Sequence, residues 1–176
     1  GDIIKLSKLD EGSVELEKEN VDLYQMTREI VSRLALQAEK HRIQVEVVGE
    51  HVECFGIRQI LDEMIYNICE NAIKYNHSGG KVTVKISQKK DLPAAHSKPT
   101  DYALVEVTDT GIGISPEFQE KIFDPFFRVD KSRSRAMGGA GLGLALVNEI
   151  ARQHGGEVKV LKSNKNGSTI ALILPL

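Results

Sequence analysis

Asn67, Asn71 and Lys74 stand at i, i+4 and i+7 in a run that is otherwise largely apolar. In a helix these three share one face. Leu61, Ile65, Ile68 and Ala72 fall on the opposite side and would bury well. An amide oxygen is a hard, neutral ligand suited to Mg²⁺, which keeps several waters and reaches protein through few ligands. The Lys74 ammonium is a point charge for phosphate. A solvated helix face would carry the same residues, so the triplet alone leaves both readings open.

A second candidate is Asp109-Thr-Gly-Ile-Gly-Ile114, which follows the alternating run Ala103–Thr108. An aspartate at a strand end can accept a hydrogen bond from an exocyclic amine such as that of adenine. Glycines just after it let a flat ring approach the backbone. A plain glycine turn between strand and helix is the alternative. A third candidate is Gly138-Gly-Ala-Gly-Leu-Gly-Leu144. Bare backbone N–H groups ahead of a helix form an anion cradle. Neither Gly139-x-Gly141 nor Gly141-x-Gly143 meets the dinucleotide pattern, because Leu144 and Leu146 stand where a small residue should be. The chain contains no phosphate-loop string of the G-x-x-x-x-G-K-[ST] type. Between these motifs, Phe123, Phe126 and Phe127 read as local packing. Arg128, Lys131, Arg133 and Arg135 then lie on a basic loop that could meet phosphates or be plainly solvated.

The elements that must position these groups follow from periodicity. Ile3, Ile4, Leu6 and Leu9 give a short helical stretch ending near Gly12. It reads either as the tail of an element that begins upstream or as a simple N-terminal helix. Val14–Lys18 alternates as a short strand. Leu23, Met26, Ile30, Leu34 and Ala38 form one stripe of a helix over about 22–40. Ile43–Val48 alternates as a strand. A second long helix spans about Ile57–Tyr75 and breaks at Ser78-Gly-Gly80. Strands are predicted near Val82–Ile86, Ala103–Thr108, Glu157–Leu161 and Thr169–Leu174. A helix is predicted over Leu142–His154, ending at Gly155-Gly156. Ser115-Pro116 is a good helix start. The polar, proline-containing stretch Ser87–Thr100 reads as an exposed loop. Neighbouring strand pairs with helices between some of them predict an α+β fold. It is a two-layer sandwich with helices on one face of a mixed, mainly antiparallel sheet.

Composition narrows the classes. At 176 residues the chain is long enough for one domain with a real core. A net charge of −2 gives no bulk argument for nucleic acid or an anionic membrane. Cys54 and Cys69 have no metal-ligand spacing and no disulfide framework. No apolar run approaches the ~20 residues of a membrane span.

Singly these signals are weak to moderate; their order is specific. The series NxxxNAxKY, DxGxG, FxxFFR, GxGLGL resembles the catalytic and ATP-binding domain of sensor histidine kinases, in the GHKL superfamily with the Bergerat fold. The resemblance runs from about Asp22 to Leu176. Leu6–Gly12 looks like the end of the second helix of that family's dimerisation domain. The implied division is therefore 1–12 as a dimerisation-helix remnant and 13–176 as the catalytic domain.

The resemblance implies roles residue by residue. Asn71 matches the Mg²⁺-binding asparagine, and Asn67 a frequent second contributor. Lys74 and Tyr75 match residues that meet the phosphates and the base or ribose side. Asp109 matches the adenine-reading aspartate, with Gly111 and Gly113 as its glycines. Phe123, Phe126 and Phe127 lie in the phenylalanine box, and Arg128 matches an arginine that can reach the γ-phosphate. Gly139, Gly141, Leu142 and Gly143 fall at the hinge of the ATP lid. The implied cofactors are ATP and Mg²⁺, with Asn71, Lys74 and Arg128 as the catalytic set. Hydrolytic members of the superfamily carry a glutamate four residues before the key asparagine, where this chain has Asn67. An amide is no general base at neutral pH. His41, His51, His77, His96 and His154 all lack the H-E/D-x-R/K-T-P context of the family's phosphoacceptor. The expectation is thus a histidine-kinase catalytic domain whose acceptor histidine lies on a dimerisation domain absent from this chain. A response-regulator receiver would be the next partner. The chain would be monomeric, the domain cytoplasmic and the full-length parent a membrane protein. Rival readings are an anti-sigma-factor-type serine kinase, a non-catalytic ATP-binding module and a hydrolytic ATPase. Asn76 departs from the Thr or Ser common at its position.

Overall fold

A computed structural model of the chain describes residues 17–90, 101–111, 113 and 142–176, with only the helical backbone at 142, 143, 145 and 146. The described elements run β1 (Glu19–Asp22), α1 (Leu23–Arg33), α2 (Ala35–Lys40), β2 (Gln44–Gly49), β3 (Glu53–Gly56), α3 (Arg58–Lys74), β4 (Lys81–Lys89), β5 (Tyr102–Asp109), α4 (Leu142–Gln153), β6 (Glu157–Asn164) and β7 (Gly167–Pro175).

The main sheet has five strands in the order β2-β4-β5-β7-β6. β2 pairs parallel with β4, and the other three pairings are antiparallel. Alternation decides which face is covered. Val82, Val84 and Ile86 of β4 are fully buried, as are Ala103 and Val105 of β5, while Lys85 between them is exposed. The predicted helical stripes supply the other half of the core. Leu23, Met26, Ile30, Leu34 and Ala38 are all buried, and so are Leu61, Ile65, Ile68 and Ala72 of α3. Truncating one such side chain, for instance Ile65→Ala, should cost about 2–5 kcal/mol. The result is the expected mixed, mostly antiparallel sheet with helices packed on one face.

Several boundaries differ from expectation. Glu17 and Lys18 are not in a strand; the strand begins at Glu19, where pairing with β3 starts. Asp22 does not open the helix but caps it, its side chain accepting the Gln25 N–H at 3.0 Å. The single helix over 22–40 is two helices hinged at Leu34, whose own side chain stays buried. β3 was not anticipated: it forms a separate two-stranded sheet with β1, in which Val21 faces Cys54. Ser87 does not begin a loop. β4 continues to Lys89, matched residue for residue with β5 down to Tyr102, and Ser87 is buried. The expected helix near Gly12, the helix start at Ser115-Pro116 and the loops at 91–100 and 128–139 lie outside the described residues.

Candidate functional site

Asp109 is the last residue of β5, and its half-buried carboxylate is held by its own chain. Oδ1 accepts the Gly111 N–H at 2.8 Å and the Ser168 N–H at 3.3 Å, and Oδ2 accepts the Ser168 hydroxyl at 3.0 Å. Burial pushes the carboxyl above its ordinary value. The hydrogen bonds from Gly111 and Ser168, and the nearby His77, pull in the opposite direction without cancelling it. A strand-end carboxylate fixed in this way presents its remaining lone pairs in a set direction.

The glycines of the turn are required by space. A Cβ on Gly111 would stand 2.8 Å from the Tyr75 carbonyl oxygen. Gly113, at φ +77, has the Asn164 carbonyl oxygen 2.0 Å from where a Cβ would be. The first contact places the carboxyl-terminal end of α3 directly against the DTG turn.

That end of α3 carries the polar triplet. Asn67 and Asn71 are half-buried, and Lys74 is exposed in the last turn. Among the described residues the buried Asn67 side-chain nitrogen has no hydrogen-bond partner. Buried amides are seldom left so, and each orphaned donor costs about 1–3 kcal/mol. Lys74 Nζ lies 5.4 Å from the centre of the Tyr75 ring, within cation–π range. Together the carboxylate, the glycine turn and the amide-bearing helix can frame a ligand that is flat and polar at one end and anionic at the other.

Of the residues singled out from sequence, Asn67, Asn71, Lys74, Tyr75, Asp109, Gly111 and Gly113 lie along α3 and the β5 end. Leu142 and Gly143 form the first turn of α4, where a helix was predicted to start. Phe127, Arg128, Gly139 and Gly141 lie outside the described residues, as do Phe123 and Phe126. Ser168 was missed. It pairs with Asp109 across the β5–β7 ladder, and a serine opening a strand carries no local signal of such a partner. Thr110 and Asn76, hydrogen-bonded to each other at 3.2 Å, were missed as contacts for the same reason.

Other chemistry lies apart. The Cys69 thiol is fully buried, and burial pushes it up to about 12, which removes it as a nucleophile. No cluster of three or more His, Cys, Asp or Glu that could hold a metal ion occurs among the described residues. An opening of about 510 Å³ sits at the other end of α3, lined by Glu19, Arg33, Arg58 and Asp62 among others. Both of its arginines are already paired, Arg33 with Asp62 at 2.6 Å and Arg58 with Glu19 at 2.8 Å. It has neither the carboxylate nor the glycine turn. Among the described residues no helix is long and apolar enough to cross a membrane.

The model of the histidine kinase-, DNA gyrase B-, and HSP90-like ATPase family matches residues 56–176. The chain is similar to sensor histidine kinase WalK of Bacillus subtilis, 32% identical over 179 residues, which is 99% of this chain and 27% of WalK. It is also similar to sensor-like histidine kinase SenX3 of Mycobacterium tuberculosis, 35% identical over 175 residues, 99% of this chain and 40% of SenX3. The chain therefore spans well under half the length of either relative. Among solved structures, the mycobacterial sensor histidine kinase MprB superposes with a TM-score of 0.69 at 28% identity, covering 90% of this chain and 97% of that one. The catalytic domain of histidine kinase ThkA superposes at 0.73 with 23% identity, over 90% of this chain and 97% of that one, a likeness of fold.

Proposed function

Since the chain belongs to the histidine kinase-, DNA gyrase B-, and HSP90-like ATPase family, we propose that it holds Mg·ATP between α3 and the end of β5 for transfer of the γ-phosphoryl group to a protein histidine. The observation that carries this reading is the prealigned Asp109 carboxylate, whose turn packs against the end of a helix that bears an amide at position 67.

The residues fit the ligand. Asp109 would accept from the adenine amine, with Ser168 and Gly111 fixing the carboxylate. Gly111 and Gly113 leave room for the ring. Asn71, seconded by Asn67, offers neutral oxygens for Mg²⁺, which takes few protein ligands when phosphates supply the rest. The buried, unpartnered nitrogen of Asn67 has a use once an acceptor lies beside it. Bound Mg²⁺ would supply charge neutralisation at the phosphate oxygens. Lys74 and Arg128 would add positive charge there, Tyr75 would pack toward the ribose side, and Phe127 would anchor the base of the lid. Backbone N–H groups of Gly139, Gly141, Leu142 and Gly143 would cradle phosphate at the start of α4. Catalysis in such a site is mostly positioning and charge stabilisation. With an amide at 67, the chain has no carboxylate base at that position to activate water.

Residues 1–12 then read as the end of a dimerisation-domain helix and 13–176 as the catalytic domain. The acceptor histidine would sit on the dimerisation domain of the same kinase, and a response-regulator receiver would take the phosphoryl group next. The parent would be a membrane sensor with this domain on the cytoplasmic side, and the domain alone a monomer without affinity for nucleic acid.

The test supplies γ-labelled ATP, Mg²⁺ and a separate dimerisation domain carrying its histidine. Acid-labile label on that domain, lost with Asp109→Asn, is expected. Steady phosphate release with no labelled histidine would favour a hydrolytic ATPase. Label on a supplied anti-anti-sigma serine would favour the serine kinase.

A further inference from the structure

Tyr75 caps the carboxyl-terminal end of α3, and the next residue, Asn76, sits in a closed ring of hydrogen bonds joining that end to the start of β4 and the DTG turn. Its Oδ1 accepts the His77 N–H at 2.8 Å and the Thr110 hydroxyl at 3.2 Å, and its Nδ2 donates to the Lys81 carbonyl at 3.0 Å. The Thr110 hydroxyl accepts the Lys81 N–H at 2.9 Å, and the Thr110 N–H returns to the Lys81 carbonyl at 3.2 Å. A Cβ on Gly80 would stand 2.4 Å from Asn76 Oδ1 and 2.7 Å from Thr110 Oγ1, so the ring closes around a residue with no side chain. A carboxamide can donate and accept at once, which a ring of this kind needs at its centre.

The ring lies between two groups of site residues. Asn71 and Lys74 are five and two positions before Asn76 on one side, and Asp109 immediately precedes Thr110 on the other. We propose that Asn76 is a positioning residue, which through Thr110 and Lys81 fixes the spacing between the phosphate end and the base end of the nucleotide site. This rests on the nucleotide reading above and adds a property to it: the two ends act as one site because this amide ties them. A ligand that bridges both ends gains from their fixed spacing, whereas a ligand that touches one end does not.

The experiment compares two ligands on the chain and its variants by NMR or calorimetric titration. Adenosine probes the base end alone, and a non-hydrolysable ATP analogue with Mg²⁺ probes both. Asn76→Ala should weaken the analogue by about tenfold and adenosine by less than about twofold. Asn76→Ser, which keeps a hydroxyl at the position, should recover part of the loss. Thr110→Val removes the other half of the tie at constant shape and should show the same split, should the alanine variant fail to fold. Equal losses for both ligands, or no loss for either, would overturn the tie while leaving the nucleotide site standing. No binding of either ligand by the unsubstituted chain would overturn the site itself, and the tie with it.

Discussion

Asp109 and Asn67 are both half-buried polar side chains of the candidate nucleotide site, and they are held in opposite ways. The Asp109 carboxylate takes three hydrogen bonds from Gly111 and Ser168, which fix it without a ligand. The Asn67 nitrogen is buried with no hydrogen-bond partner among the described residues. The base end is thus preorganised by its own chain, while the phosphate end waits for something to complete it. Preorganisation at one end cuts the ordering cost of binding. An unmet donor at the other end stores a penalty that a ligand can relieve. Substitutions at either end should therefore lower affinity without lowering stability, at Asp109 by removing a half-buried charge and at Asn67 by removing an orphaned donor.

The largest effect should come from Asp109→Asn. A neutral amide turns an N–H₂ group toward a position where an acceptor is needed, which should cost about 1–3 kcal/mol, or roughly 5- to 150-fold in affinity for an ATP analogue. Stability of the unliganded chain should not fall with it. Burial raises the Asp109 pKa in the folded state. The stabilising effect of a group raised in this way is fully present below its unfolded value near 3.8 and is lost as pH rises through its folded value. At neutral pH the native chain therefore carries the cost of a half-buried charge, and the asparagine does not. Thermal melts at pH 7 should show the variant at least as stable as the native chain. A clear drop in melting temperature would mean that the carboxylate is chiefly a structural tie between β5 and β7.

Asn67→Leu should move the two quantities apart in the other region. Removing an orphaned buried donor should raise the melting temperature by a few degrees, about 2–4 °C per kcal/mol for a chain of this size. Affinity for the Mg·ATP analogue should fall several-fold at the same time. If instead melting falls and affinity holds, the amide is a packing element and the contrast with Asp109 disappears.

The same contrast marks what could be read from sequence. α3 was legible because Leu61, Ile65, Ile68 and Ala72 repeat at helical spacing and all are buried, leaving Asn67, Asn71 and Lys74 on another side. β5 was legible because Ala103, Val105 and Val107 alternate toward the helices. What escaped depends on pairing across the chain. β3 is four residues long and has meaning only as the partner of β1. The hinge at Leu34 has no glycine or proline, and the buried stripe runs through it unbroken. Ser168 is 59 residues from the carboxylate it holds, and Asn76 is 34 from Thr110. Residue types and motif order located the candidate site, whereas the hydrogen bonds that prearrange half of it follow from sheet register, which periodicity does not encode.

Ser168→Ala tests whether that register matters for binding, and its effect should be the smallest. The substitution removes the hydroxyl bond to Oδ2 and keeps the weaker backbone bond to Oδ1 at 3.3 Å. One such bond is worth about 0.5–1.5 kcal/mol, so ATP-analogue affinity at neutral pH should drop about two- to tenfold, less than for Asp109→Asn. The Ser168 bonds are among the interactions that lower the Asp109 pKa against burial, so losing one should raise it further. Affinity should then begin to fall at a higher pH when the solution is acidified, because the protonated carboxyl has one acceptor position fewer. Titrating both chains with the analogue across pH 4–8, roughly the span around a raised carboxyl, should displace the variant's curve toward higher pH. Superimposable curves would mean that the carboxylate is set by Gly111 and the strand end alone, and that the hydroxyl of Ser168 contributes nothing to the preorganised end.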